Sequence, residues 1–283
     1  MNITILTNRD LASCVALNYL LPALSTPSAL PAHRVTVFLS SQVGKVAPKA
    51  AGGSRRPEAL DTLKFFEQTL VNDIVFPLCD RAAANAGSML TFKGLERFLV
   101  APILELNDIN TSGLPEFAAT KPDLVLSIRY GVILRDEAIS VPTHGVLNLH
   151  SGRLPDYKGV MASFRAMLNG DTELNMTLHT IDDNGIDTGR ILAMSSFEVD
   201  RAKSYLWHVL GLYENGCKLM TDAVNAIVRG EPIEGTSQAT LASTGNYFTF
   251  PTQRELDDFT AHGFKLVDGD EIRHVVEQFY AKG

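Results

Sequence analysis

Three stretches at the start of the chain set the strongest limit on its fold. Residues 3–6 are a short apolar run, residues 11–21 place Leu11, Val15, Leu17 and Leu21 at helical spacing, and residues 35–39 are a second, β-branched run. Strand, helix and strand in that order predict a βαβ unit and a parallel sheet covered by helices. Pro22 is expected to end the first helix. The apolar runs at 124–128, 145–150, 176–181 and 191–199 predict further strands, and 74–77 a short one. Helical patterns occupy 58–70, 93–106 (with a break at Pro102), 162–168 and 204–228, and 132–139 is a short helix or turn. Gly170 and Gly230 stand where helix C-termini favour glycine. The expected class is α/β: a Rossmann-like, mostly parallel twisted sheet with helices on both faces. Residues 1–230 are read as an α/β core and 231–283 as a small C-terminal appendage.

Composition narrows the partners. A chain of 283 residues with 45% hydrophobic side chains can bury a sizeable core. Its net charge of −7 argues against gripping nucleic acid, because phosphate binding rests on basic patches. One local exception is the stretch 40–57, with Lys45, Lys49, Arg55 and Arg56. It is either a plain surface loop or a help in holding an anionic substrate. Cys14, Cys79 and Cys217 are widely spaced and form no C-x-x-C pair, which suits reduced thiols in a cytoplasmic protein. The opening MNITILTNRD reads as a strand and not as a signal peptide. No apolar run approaches the roughly 20 residues of a membrane span, so no membrane partner is expected.

The strand at 145–150 carries the chemistry. Side chains alternate along a strand, so Val146, Asn148 and His150 share one face and Leu147 and Leu149 the other. Strands buried on both sides usually read as unbroken apolar runs, and Asn148 and His150 interrupt this one. A polar pair near the carboxyl end of such a strand is either satisfied internally or faces a ligand cleft. The next segment, SGRLPDYKG, is a shaped loop holding Tyr157. Downstream, HTIDDNGIDTGRIL places Asp182, Asp183 and Asp187 in a glycine-containing turn. That turn is either a simple polar hairpin or part of a site. Its spacing is not that of a calcium loop, and no metal is expected.

The run N-L-H-S-G-R-L-P-D-Y-K-G (148–159), followed by I-D-T-G (186–189), resembles the formyltransferase family that uses 10-formyltetrahydrofolate. The resemblance covers residues 121–230 well and the tail weakly. It implies a catalytic trio of Asn148, His150 and Asp187. Asn148 would donate to the developing oxyanion, and His150 would carry the proton from the attacking amine or stabilise the charge. Asp187 would orient the imidazole and favour its charged form. The resemblance also implies a folate pocket lined by 127–133 and 180–187, with Ser127, Arg129, Tyr130, Gly131, Val132, Ile133, Ile181, Asp182 and Asp183. Arg129 is either a plain loop cation or a contact to an acidic group of the folate or the acceptor. Ser151, Tyr157 and Lys158 are candidates for acceptor binding. His144 and His179 are read as structural.

Departures from the family pattern bear on the acceptor. Enzymes acting on glycinamide ribonucleotide have a glycine-rich phosphate cradle after the first strand, where this chain reads T-N-R-D-L-A-S. Enzymes acting on methionyl-tRNA have a larger C-terminal domain than the residues that follow the core here. The expected acceptor is therefore a small-molecule amine, first a nucleotide-linked amino sugar and second an N-hydroxyornithine destined for a siderophore. Methionyl-tRNA formylation, hydrolysis of the formylfolate and a non-catalytic binding module are the alternatives. Tyr247, Phe248 and Phe250 are read as hairpin core, dimer contact or acceptor platform, and a homodimer is expected.

Overall fold

β1 (Asn2–Asn8), α1 (Leu11–Ser25) and β2 (Arg34–Ser40) form the βαβ unit that the opening residues predict, with β1 and β2 paired in parallel. The computed structural model describes residues 1–25, 33–41, 56–81 and 87–280. The chain continues through α2 (Glu58–Lys64), a π-helical stretch (Phe65–Val75), α3 (Phe76–Arg81) and α4 (Phe92–Leu95). β3 (Leu104–Glu105), α5 (Leu114–Ala119), β4 (Leu124–Ile128), α6 (Asp136–Ile139) and β5 (Val146–His150) follow. Next come β6 (Tyr157–Gly159), α7 (Ala162–Asn169), the antiparallel pair β7 (Glu173–Ile181) and β8 (Ile191–Glu198), and the long α8 (Tyr205–Val228). β9 (Asn246–Phe248), α9 (Gln253–Ala261) and α10 (Gly269–Glu277) complete the described chain.

Seven strands make one sheet in the order β3-β2-β1-β4-β5-β7-β8. The first five are parallel, and β7 and β8 are antiparallel to their neighbours. This is the expected α/β architecture, mostly parallel with both faces covered. Ile3, Ile5, Leu147 and Leu149 point into the larger core, with α1 and α8. Leu6, Val125 and Val146 point to a smaller core with Phe117 of α5 and Ala138 of α6. Each strand therefore divides its residues between two apolar layers, as alternation requires. Residues 231–280 are stitched into the same body. β9 pairs with β6, and Leu256, Phe259, Phe264, Ile272 and Phe279 are buried in the larger core. At 25 cal/mol per Å², each such side chain stabilises the fold by roughly 1.5–3 kcal/mol.

Three local expectations give way. α1 runs past Pro22 to Ser25, because burying Leu21 and Leu24 outweighs a proline in the last turn. The expected strand at 74–77 is helical: Ile74 and Leu78 lie on its exposed side, while Val75 and Phe76 are buried. The π-helical stretch shifts the phase of the apolar residues, so a short window mimics a strand. The expected helix at 93–106 is only α4 and one 3-10 turn, Glu96–Phe98, and then turns into β3. Leu106 beyond it is buried in the smaller core, which draws the chain to the sheet edge. Among the described residues, no helix is long and apolar enough to cross a membrane.

Candidate active site

β5 lies between β4 and β7, with Ser127 opposite Asn148 on one side and His179 opposite Asn148 on the other. Asn148 and His150 share the face of β5 that carries Val146, as strand alternation predicts. The turn after β7 folds back across that face. Asp187 Oδ2 comes to 3.5 Å from His150 Nδ1, and its Oδ1 to 3.5 Å from His179 Nε2. The three residues that the resemblance joins are thus brought together from two motifs almost forty positions apart.

Each member is held from behind. His150 Nε2 donates to the Tyr157 carbonyl at 2.7 Å, so both ring nitrogens face acceptors. The ring can thus hold a proton at either nitrogen without turning away from a partner. Gly152 makes room for the ring: a Cβ there would stand 2.7 Å from His150 Nε2 and 2.4 Å from the Ala162 Cβ. Asn148 Nδ2 lies 3.0 Å from His179 Nε2, the ring nitrogen that also faces Asp187, while His179 Nδ1 donates to the Thr180 carbonyl at 2.8 Å. The Asn148 amide nitrogen carries two hydrogens and at most one can point at His179, so one is left for another acceptor. Asp187 has a left-handed φ of 55° and accepts from the Gly159 N–H at 2.8 Å. Burial alone would raise its carboxyl. The His150 charge, the hydrogen bond and charge of His179 and the Gly159 N–H overcome this and pull it down to about 2. Gly189 closes the same turn, since a Cβ there would overlap the Thr180 carbonyl oxygen at 1.7 Å.

The other expected site residues divide. Ser127 is buried at the end of β4, beside Asn148. Gly131 donates its N–H to Ser40, the Tyr130 hydroxyl donates to the Leu106 carbonyl, and the Ile133 carbonyl accepts from Asn110. Val132 is partly buried against the smaller core, and Ile133 exposes about half its side chain at 47%. On the other side of β5, Ile181 joins the smaller core, Asp182 accepts from Thr180 and Asp183 caps its own turn through the Gly185 N–H. Lys158 donates to the Thr244 carbonyl, and the Ser151 carbonyl accepts from Ser163. Tyr157 is buried, and its hydroxyl donates to Asp171. Burial and Asp171 push that phenol up to about 12. What Tyr157 offers His150 is its carbonyl, and its hydroxyl is engaged elsewhere. Lys45, Lys49 and Arg55 of the basic stretch lie outside the described residues. Arg56 pairs with Asp61 and lies 5.3 Å over the Phe250 ring. Tyr247 and Phe250 are exposed, whereas Phe248 packs on the core.

Arg129 is no plain loop cation. It has a left-handed φ of 57°, and its guanidinium binds Asp10 Oδ2 at 3.0 Å and Glu67 Oε1 at 3.1 Å. Two carboxylates share one cation in a poorly hydrated place. Asp10 is fully buried, also accepts from the Ser13 N–H at 2.8 Å and so holds the N-terminus of α1. Burial pushes Glu67 up to about 7, with Arg129 opposing the rise and Asp10 adding to it. Ionised Glu67 is therefore favoured more in the unfolded chain than in the fold. Wild-type stability should fall as pH rises from about 4.5 toward 7, and a Glu67→Gln variant should lose that slope. Urea unfolding at pH 5 and pH 8 checks this, and equal slopes in both proteins would refute it.

His179, Asp10 and Glu67 escaped the sequence reading as site residues. A single histidine in a buried strand carries no motif. The pairing of Asp10 with Glu67 through Arg129 joins residues 57 to 119 positions apart.

Residues 102–206 match the family model described as formyl transferase. Over that span the chain is similar to formyl transferases. The matched span holds Asn148, His150 and Asp187 together. A methionyl-tRNA formyltransferase of Fusobacterium nucleatum is 27% identical over 161 residues, covering 56% of this chain and 51% of the relative. One from Kosmotoga olearia is 29% identical over 145 residues, covering 50% and 46%. The chain thus spans about half the length of the curated relatives it matches. Among solved structures, glycinamide ribonucleotide transformylase 1 from Symbiobacterium toebii aligns with a TM-score of 0.54 at 16% identity, covering 84% of this chain and 93% of that one. A sugar 3N-formyl transferase crystallised in the presence of dTDP and 5-N-formyl-THF aligns with a TM-score of 0.52 at 18% identity, covering 88% and 69%. These likenesses show that the chain shares the fold of those structures.

Proposed function

We propose that this chain transfers the formyl group of 10-formyltetrahydrofolate to the amine of a small acceptor, with Asn148, His150 and Asp187 as the catalytic residues. The carrying observation is the convergence of the three: Asn148 and His150 on one face of β5, with the Asp187 carboxylate 3.5 Å from the imidazole. The folate, when bound, supplies the formyl group. Segments 127–133 and 180–187 leave strands on either side of β5, and the half-exposed Ile133 offers an apolar surface on which a flat ring can lie.

Each side chain has a task that its surroundings support. The free amide hydrogen of Asn148 donates to the oxygen on which negative charge develops, an effect worth about 10²–10³ in rate. His150, between the Tyr157 carbonyl and Asp187, stabilises that charge as a cation. It can carry a proton only if one of these two contacts opens. Asp187 keeps the ring oriented and its positive charge compensated.

The acceptor reading rests on Asp10. Its carboxylate fills the N-terminus of α1, the place where a phosphate would need free N–H groups. This disfavours a ribonucleotide phosphate there and supports a nucleotide-linked amino sugar bound elsewhere along the cleft. Methionyl-tRNA is the second reading, favoured by the names of the relatives that match over half their length. Mixing the protein and 10-formyltetrahydrofolate with nucleotide-linked amino sugars, hydroxyornithine or charged initiator tRNA, and weighing the products, separates the readings. A formylated sugar is expected. Formylated tRNA alone would overturn the small-acceptor reading, and formate alone would make the protein a hydrolase.

A further inference from the structure

The Asp187 turn is held by a residue outside the matched span. Gln238 lies in the segment after α8 and is buried, with 8% of its surface exposed. Its Nε2 donates to the Asp187 carbonyl at 2.9 Å and to the Gly189 carbonyl at 2.8 Å. One amide group thus spends both hydrogens on the two carbonyls that bracket the turn. The amide cannot be reversed, because its oxygen would then face two acceptors. Two residues earlier, Thr236 exchanges backbone hydrogen bonds with Ile191 in both directions, at 2.8 and 2.9 Å. The tail is therefore docked on the strand that leaves the turn, and Gln238 is carried in with it.

Asp187 needs such a brace. It sits at a left-handed φ, a conformation that strains a non-glycine residue and persists only where its surroundings over-determine it. Its carboxylate also faces three separate partners, His150, His179 and the Gly159 N–H. A small rotation of the turn would break all three. We infer that Gln238 is a positioning residue: by clamping the carbonyls of Asp187 and Gly189 it holds the Asp187 carboxylate against His150. This rests on the proposed role of the trio and extends the machinery into the segment read as an appendage.

Gln238→Glu keeps the length and replaces both donors with oxygen, and Gln238→Met keeps the bulk without either. In whichever variant folds, kcat for formyl transfer is expected to fall by about tenfold or more, with the KM for 10-formyltetrahydrofolate changing less than about threefold. The Asp187 carboxyl, followed by carbon NMR, should titrate at a higher pH in the variant than in the wild-type protein, where its surroundings hold it low. A folded variant with wild-type kcat, or with Asp187 titrating as in wild type, overturns the inference. If the wild-type protein transfers no formyl group to any acceptor, the Asp187 titration still decides, so failure of the clamp and failure of the proposed function are told apart.

Discussion

Asp187→Asn is expected to lower the rate of formyl transfer by roughly 10²–10⁴-fold while leaving the fold intact. Asn keeps an oxygen for the Gly159 N–H, so the turn stays in place. The variant loses the negative charge that faces both histidine rings at 3.5 Å. Without it, the His150 Nδ1 side has no carboxylate to orient the ring and to compensate charge that develops on it during the reaction. Burial opposes ionisation of Asp187, and the histidines and the Gly159 N–H reverse this so strongly that the group titrates near 2. The contact to His150 that lowers the carboxyl is the same one that orients the imidazole. Its sign follows: the depressed carboxyl stabilises the fold above the ordinary carboxylate range, and that contribution is lost as pH falls from about 4 through 2. Steady-state rates with the preferred acceptor, together with circular dichroism of the variant, check the expectation. Wild-type turnover in Asp187→Asn would remove Asp187 from the mechanism.

Arg129→Met is expected to have the largest effect on stability, about 3–5 kcal/mol, because it leaves buried Asp10 without its cation. The guanidinium is itself largely buried, with 20% of the side chain exposed, and the Asp10 side chain is 1% exposed. Burial disfavours the Arg129 charge, but Asp10 and Glu67 more than restore it. Removing the arginine leaves two carboxylates facing each other, and the Asp10 contact to Asn8 and the Ser13 N–H cannot replace it in full. Adding Asp10→Asn to the variant should recover part of the loss, since a neutral amide at that place needs no counter-charge. Urea unfolding of the two single variants and the double variant makes the comparison. A loss below about 1 kcal/mol in Arg129→Met would show that the ion triad is not what braces this end of the sheet.

How much of this was legible in the sequence depends on the range of the signal. The βαβ opening, β4, β5 and α8 follow from apolar periodicity, because each is buried on a regular face. Asn148 and His150 stood out for the complementary reason: they are polar side chains on a strand whose other residues are apolar. Asp187 could not be distinguished from an ordinary turn aspartate by spacing, and only the paired motifs singled it out. The π-helical stretch was illegible because its wider turn moves later apolar residues out of phase. Gln238 and the Asp10–Arg129–Glu67 group were illegible because their meaning lies in contacts between distant segments. Gln238 binds backbone carbonyls, which leave no mark in the amino-acid pattern at 187 and 189.

The most direct test of the account compares wild type with His150→Ala in single turnovers, with 10-formyltetrahydrofolate and the preferred amine, following tetrahydrofolate and formylated amine together. The account predicts that wild type forms the two in equal amounts and that His150→Ala forms both at least about 100-fold more slowly. Equal rates in the two proteins would contradict it.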